Sequence, residues 1–203
     1  MLYLHNLETI KKKFCFYYLN GINTSQESFD RFLMLNSYHS SIIHGCNFCF
    51  DEAKIFLTSG ETSGNKDLFD YVILSNIYQT QKWFYSLFEP GFEFTLDIMI
   101  RVNSAILNGI EYRLKTVFDH SVRTKILKGS LKKQPLNLIN DNRVEREIEY
   151  NLLKEKIDAI LTEIHYNSNI SLPDIAQFYS DFLKLCPFDM GNGRTLRILV
   201  NYL

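Results

Sequence analysis

Apolar positions along this chain recur mostly at intervals of three and four, the spacing that gathers one face of an α-helix. Phe29, Phe32, Leu33, Leu35 and Ile42 predict a helix over 27–43, and Asp51–Leu57 a short one ending near Gly60. A Ser/Gly-rich connection, 61–66, leads into a long aromatic segment over 67–88 that Pro90-Gly91 stops; its Trp83, Phe84, Tyr85 and Phe88 read as core rather than a ligand platform. Thr95 caps the next helix, in which Leu96, Met99, Ile100, Ile106 and Leu107 share a face and Gly109 is the stop. Farther on, Val144, Ile148, Leu152, Ile157, Ile160, Leu161 and Ile164 predict a helix over 142–165. Ser171, Pro173 and Asp174 then give a helix start, and the helix 173–185 runs into a loop rich in glycine.

The period changes once. Between Tyr112 and Leu131, Thr116-Val117-Phe118 and Thr124-Lys125-Ile126-Leu127 are β-branched or aromatic and flank Asp119-His120-Ser121, the pattern of a short hairpin. A basic surface loop fits the same residues. The predicted fold is therefore all-α with one small hairpin.

At 203 residues and 46% hydrophobic, the chain buries a full core as one domain or a domain with an appendage. A net charge of −1 gives no bulk electrostatic case for a nucleic-acid or membrane partner. No apolar run approaches the roughly 20 residues that span a bilayer, and 1–20 is too polar and aromatic for a signal peptide, so the expected address is cytoplasmic. The Lys11-Lys12-Lys13 run reads as a solvated face. Cys15, Cys46, Cys49 and Cys186 are then expected as reduced thiols. Cys46-Asn47-Phe48-Cys49, with His44 just before it, has the spacing of half a zinc site, but no second ligand pair is visible and the two cysteines read as core filler.

The chemistry concentrates in Cys186-Pro187-Phe188-Asp189-Met190-Gly191-Asn192-Gly193-Arg194-Thr195-Leu196-Arg197. Pro187 fixes φ, Gly191 and Gly193 open conformations closed to other residues, and Asn192 tolerates the left-handed region, so the loop can turn its amides inward. A helix starting near Gly193 carries Arg194 and Arg197 on one face and Leu196, Leu199, Val200 and Leu203 on the other. Inward amides, a helix N-terminus and two guanidiniums suit a polyphosphate. Glycines that cap two helices beside solvated arginines would leave the same pattern.

This stretch resembles the signature of the Fic domain, H-P-F-x-(D/E)-G-N-G-R-x-x-R, in Pro187, Phe188, Gly191, Asn192, Gly193, Arg194 and Arg197. The resemblance implies a Fic-type helical fold, a nucleotide site for ATP, and transfer of AMP to protein hydroxyls. It implies that Gly191, Asn192, Gly193, Arg194 and Arg197 bind phosphate and that Phe188 anchors the loop. Two departures fall on the chemistry. Cys186 stands where the family has the His that takes the hydroxyl proton, and Met190 replaces the acid that holds Mg²⁺, which leaves the metal in doubt unless Asp189, one place earlier, rearranges to serve.

Ser40-Ser41-Ile42-Ile43-His44-Gly45 resembles the family's inhibitory motif, (S/T)-x-x-x-E-(G/N), with His44 in place of the Glu that pairs with the second motif arginine. The hairpin over 112–131 falls where the family has a flap that holds a target segment as an added strand. Arg113, Lys115, Arg123, Lys125, Lys128, Lys132 and Lys133 give it a positive field for an acidic target or the nucleotide. The chain divides by resemblance into an N-terminal extension, 1–39, and a Fic-like region, 40–203, with the motif loop at 186–197. Because the chain ends ten residues after Gly193, part of the nucleobase pocket is expected outside it.

Three functions follow from these residues: a degenerate Fic module that binds nucleotide phosphate or another anion and transfers AMP poorly or not at all, an active adenylyltransferase using Cys186, and a non-enzymatic interaction protein. The first is preferred. A thiol of ordinary pKa, about 8.5, is mostly protonated at neutral pH and a poor stand-in for imidazole.

Overall fold

A computed structural model describes residues 26–64, 66–87, 95–117, 120–132, 150–166 and 170–201. Among the described residues it has seven helices: α1 (Gln26–His44), α2 (Phe50–Ser59), α3 (Leu68–Tyr85), α4 (Leu96–Ile106), α5 (Tyr150–Tyr166), α6 (Leu172–Leu185) and α7 (Asn192–Val200). Two strands, β1 (Tyr112–Val117) and β2 (His120–Lys125), pair antiparallel from Tyr112 opposite Lys125 to Val117 opposite His120. His120 and Ser121 thus belong to the second strand rather than to the turn, and Ile126 and Leu127 follow it. The Lys11–Lys13 run, Cys15, Phe88, the Pro90-Gly91 stop, Phe118, Asp119, Val144, Ile148 and Leu203 lie outside the described residues, and so do most of the N-terminal extension and the start of the helix predicted over 142–165.

The helices begin where side chains satisfy their first amides. Asp67 accepts from Phe69 N at 2.9 Å and Thr95 from Ile98 N at 3.4 Å. At α6, Ser171 and Asp174 form a reciprocal capping box, with proline in the first turn. Gly60 closes α2 at φ +78°, whereas α4 ends with Leu107 as its cap and Gly109, at φ +73°, lies in the turn that follows.

Helix α4 lies at the centre, packed against α3, α5 and α7, and its Met99, Val102 and Ile106 are fully buried. Helix α6 bridges α5 and α7, while α1 and α2 cover α3. In α5 the core face is Leu153, Ile157, Leu161 and Ile164, whereas Leu152, read as core from its spacing, is exposed. Phe84 is wholly buried, and Trp83 lies beneath the Arg101 guanidinium at 4.9 Å.

Helix α1 differs most from its apolar reading. Ile42 is exposed, and the buried face is Leu33 with Ser37, Ser40 and Ser41. Ser37 and Ser41 return their hydroxyls to the carbonyls four residues earlier at 2.7 Å, and Gln81 of α3 donates to Ser37 Oγ at 2.7 Å. Small side chains satisfied against their own backbone let α1 approach α3 closely without an orphaned hydroxyl. The boundary drawn between 39 and 40 falls inside this one helix. No helix among the described residues is long and apolar enough to cross a membrane.

Candidate functional site

The motif loop joins α6 to α7 through two left-handed residues. Cys186 caps α6 at φ +43° and ψ +58°, the single non-glycine residue of positive φ among those described, and its N–H reaches Phe182 O. Gly191, at φ +83°, is the N-cap of α7. There a Cβ would meet Ile106 Cδ1 at 3.0 Å and Asn103 Nδ2 at 3.2 Å, so glycine serves both the turn and the close approach to α4. Asn192 is the first residue of α7 and holds the loop by its side chain rather than by a left-handed backbone. Its Oδ1 accepts from Phe188 N, and its Nδ2 donates to Phe188 O, both at 2.8 Å. Phe188 is fully buried against Phe182, ring centroids 6.4 Å apart, and anchors the loop.

Asn103 of α4 is the fixed point beneath. Its Nδ2 donates to Met190 O at 2.9 Å and to Thr195 Oγ1 at 3.1 Å, and its Oδ1 accepts from Gly129 N at 3.1 Å. Its site role was not read from sequence, although it stands four residues after Met99 and three before Ile106, a polar residue on the buried stripe.

The first turn of α7 leaves the amides of Asn192, Gly193 and Arg194 without helical carbonyl partners, while Thr195 N bonds Gly191 O at 2.8 Å. The Arg197 guanidinium folds back over this turn. It donates to Ser40 Oγ at 2.9 Å and Ser40 O at 3.3 Å, and a Cβ at Gly193 would stand 3.2 Å from its Nη1. Arg194 is 2% exposed, and its Nη1 and Nη2 have no hydrogen-bond partner. Burial holds it down to about 10 against an ordinary 12.5, still cationic at neutral pH. It is thus not one of two solvated arginines.

His44 ends α1 in the field of both guanidiniums. Partial burial, then Arg194 and Arg197, lower its pKa to about 4 against an opposing pull from Asp70, so the imidazole is neutral at pH 7. Arg197 meets the hydroxyl and carbonyl of Ser40, one turn earlier in the same helix.

Cys186 Sγ receives Asn192 Nδ2 at 3.2 Å and Lys132 Nζ at 3.4 Å. Lys132 is a second residue whose place at the site was missed, having been counted among the hairpin's basic residues. Asp189 is half-buried between the buried Phe188 and Met190, which packs on the core.

A hard divalent cation such as Mg²⁺ takes oxygen ligands. Met190 offers a thioether, and its carbonyl already accepts from Asn103, so this position brings no carboxylate oxygen to a Mg²⁺. Two unpartnered guanidinium donors carried by the first turn of a helix are chemically suited to a phosphate.

The C-x-x-C is not a pair of core fillers. Cys46 is buried, its thiol pushed up to about 12 by burial and then by Asp70, while Cys49 is exposed at the N-cap of α2, where its N–H bonds Glu52 at 2.7 Å.

No family model and no curated protein matches the sequence. Solved structures do match its fold. Fic-1 (residues 134–508) from C. elegans aligns with a TM-score of 0.71 at 17% identity, over 98% of this chain and 54% of that one. A Fic domain containing signaling protein from Bacteroides thetaiotaomicron gives 0.64 at 21% identity, over 85% and 62%. A Fic family protein from Desulfovibrio desulfuricans gives 0.67 at 13% identity, over 98% and 56%. The chain has the all-α fold of Fic domain proteins, and it spans between half and two thirds of the length of these structures.

Proposed function

We propose that this chain is a Fic-fold protein that holds the phosphates of a nucleotide, ATP or ADP, at the start of α7 and transfers AMP to protein hydroxyls poorly or not at all. One observation carries the reading: Arg194, the third residue of α7 and 2% exposed, keeps two guanidinium nitrogens unpartnered. A buried donor without an acceptor costs about 1–3 kcal/mol, and a bound anion removes that cost. Arg197 and the first-turn amides of Asn192, Gly193 and Arg194 complete the cradle, and neutral His44 puts no carboxylate competitor at the end of α1.

The transfer step lacks its parts. Both hydrogen-bond donors directed at Cys186 Sγ occupy the sulfur that would take the hydroxyl proton. Met190 supplies no oxygen for the metal that neutralises a transferring phosphate. Among the described residues the hairpin has two strands and keeps an outer edge on each, to which an extended protein segment can add.

Calorimetric titration with ATP tests this. Binding is expected with the same affinity in EDTA and in Mg²⁺, and Arg197→Ala should abolish it. Binding that appears in Mg²⁺ alone would show that Asp189 or another group holds the metal.

A further inference from the structure

Lys132 is one of several basic residues near the hairpin, yet its backbone is tied to the motif loop itself. Lys132 N donates to Pro187 O at 2.8 Å, and Leu131, buried, forms an antiparallel bridge with Phe188. Just before it the chain is pinned at Gly129, φ +57°. A Cβ there would meet Ser104 Cβ at 2.8 Å and Ile100 O at 3.1 Å, and Gly129 N is held by the same Asn103 that holds Met190 O. One residue of α4 therefore sets the register of the motif loop and of the segment that carries Lys132.

The half-buried Lys132 side chain ends 3.4 Å from Cys186 Sγ, its one acceptor among the described residues. An ammonium has three donors, and sulfur is a weak acceptor. Arg194 has two donors with none. Lys132 Nζ and Asn192 Nδ2 meet at Cys186 Sγ, and Gly193, next to Asn192, lies under the Arg197 guanidinium. The donor of the segment before the loop thus joins those of α7 through one sulfur. Two linked phosphoryl groups can draw on both sets of donors, where a lone phosphate draws on one.

We infer that Lys132 is a binding residue of this anion site and the one that makes it prefer a diphosphate to a monophosphate in the absence of a divalent metal. The inference rests on the phosphate site proposed above. A charge-assisted hydrogen bond of this kind corresponds to about tenfold to a hundredfold in affinity.

The experiment is a calorimetric titration in EDTA with inorganic pyrophosphate and with inorganic phosphate. Wild type should bind pyrophosphate at least about tenfold more tightly. Lys132→Met should lose that preference and leave phosphate affinity within about twofold, Lys132→Arg should keep it, and Arg194→Met should weaken both anions. If Lys132→Met retains the preference while Arg194→Met weakens both, Lys132 is no part of the site although the site stands. If wild type binds neither anion, this inference and the phosphate site fall together.

Discussion

Replacing Arg194 by methionine should make the protein more stable and less able to bind anions. Arg194 is 2% exposed with two unpartnered guanidinium nitrogens, and burial holds its pKa down to about 10 against 12.5. By linkage that depression corresponds to about 3 kcal/mol of unfavourable environment for the charge at neutral pH. Methionine keeps much of the stem's packing and carries no charge. A small residual void costs about 1 kcal/mol, so the net gain is about 2 kcal/mol. For a domain of this length that is a rise in Tm of about 4–8 °C, read by differential scanning calorimetry without ligand. In excess pyrophosphate the wild type should close the gap, because its bound anion partners Arg194, while the variant should not move. A variant of equal or lower Tm that still shifts with pyrophosphate would refute the reasoning, since the orphaned guanidinium would then be neither a cost nor a ligand contact.

Other expectations follow from the same contacts. His44 is lowered from 6.5 to about 4, so between those values the unfolded chain binds more protons, and stability should fall as pH drops from 6.5 towards 4. His44→Gln should flatten that part of a Tm-versus-pH curve. His44→Glu should place a carboxylate before Arg194 and Arg197 and weaken ATP binding about tenfold by calorimetry; unchanged affinity would mean that α1 does not control access. Asn103→Ala leaves Met190 O, Thr195 Oγ1 and Gly129 N without their partner, a loss of about 2–4 kcal/mol, measurable by urea denaturation.

What the sequence revealed and what it hid divide by range. Helix α6 and the motif loop were legible because their determinants are local: the Ser171–Asp174 cap, the proline in the first turn and Gly191 at the N-cap. The buried face of α1 was not, because Ser37 and Ser41 are buried through bonds to their own backbone, which no hydrophobic period records. The burial of Arg194 was also hidden, since arginine is rarely enclosed. The place of Lys132 depends on a partner 54 residues away in sequence, and that of Asn103 on partners 87 and 92 away. Asn103 at least left a trace, as the polar interruption of an apolar stripe.

The central claim, a Fic fold that keeps a phosphate site and has lost its transfer chemistry, is tested most directly by labelled AMP transfer from ATP. General base catalysis contributes about 10²–10⁴-fold, and charge neutralisation by a metal contributes separately, so the two deficits multiply. Wild type should label neither itself nor lysate proteins, either single repair should do little, and Cys186→His with Met190→Asp should gain measurable self-modification. Robust labelling by wild type that Cys186→Ala abolishes would contradict the account and make Cys186 catalytic.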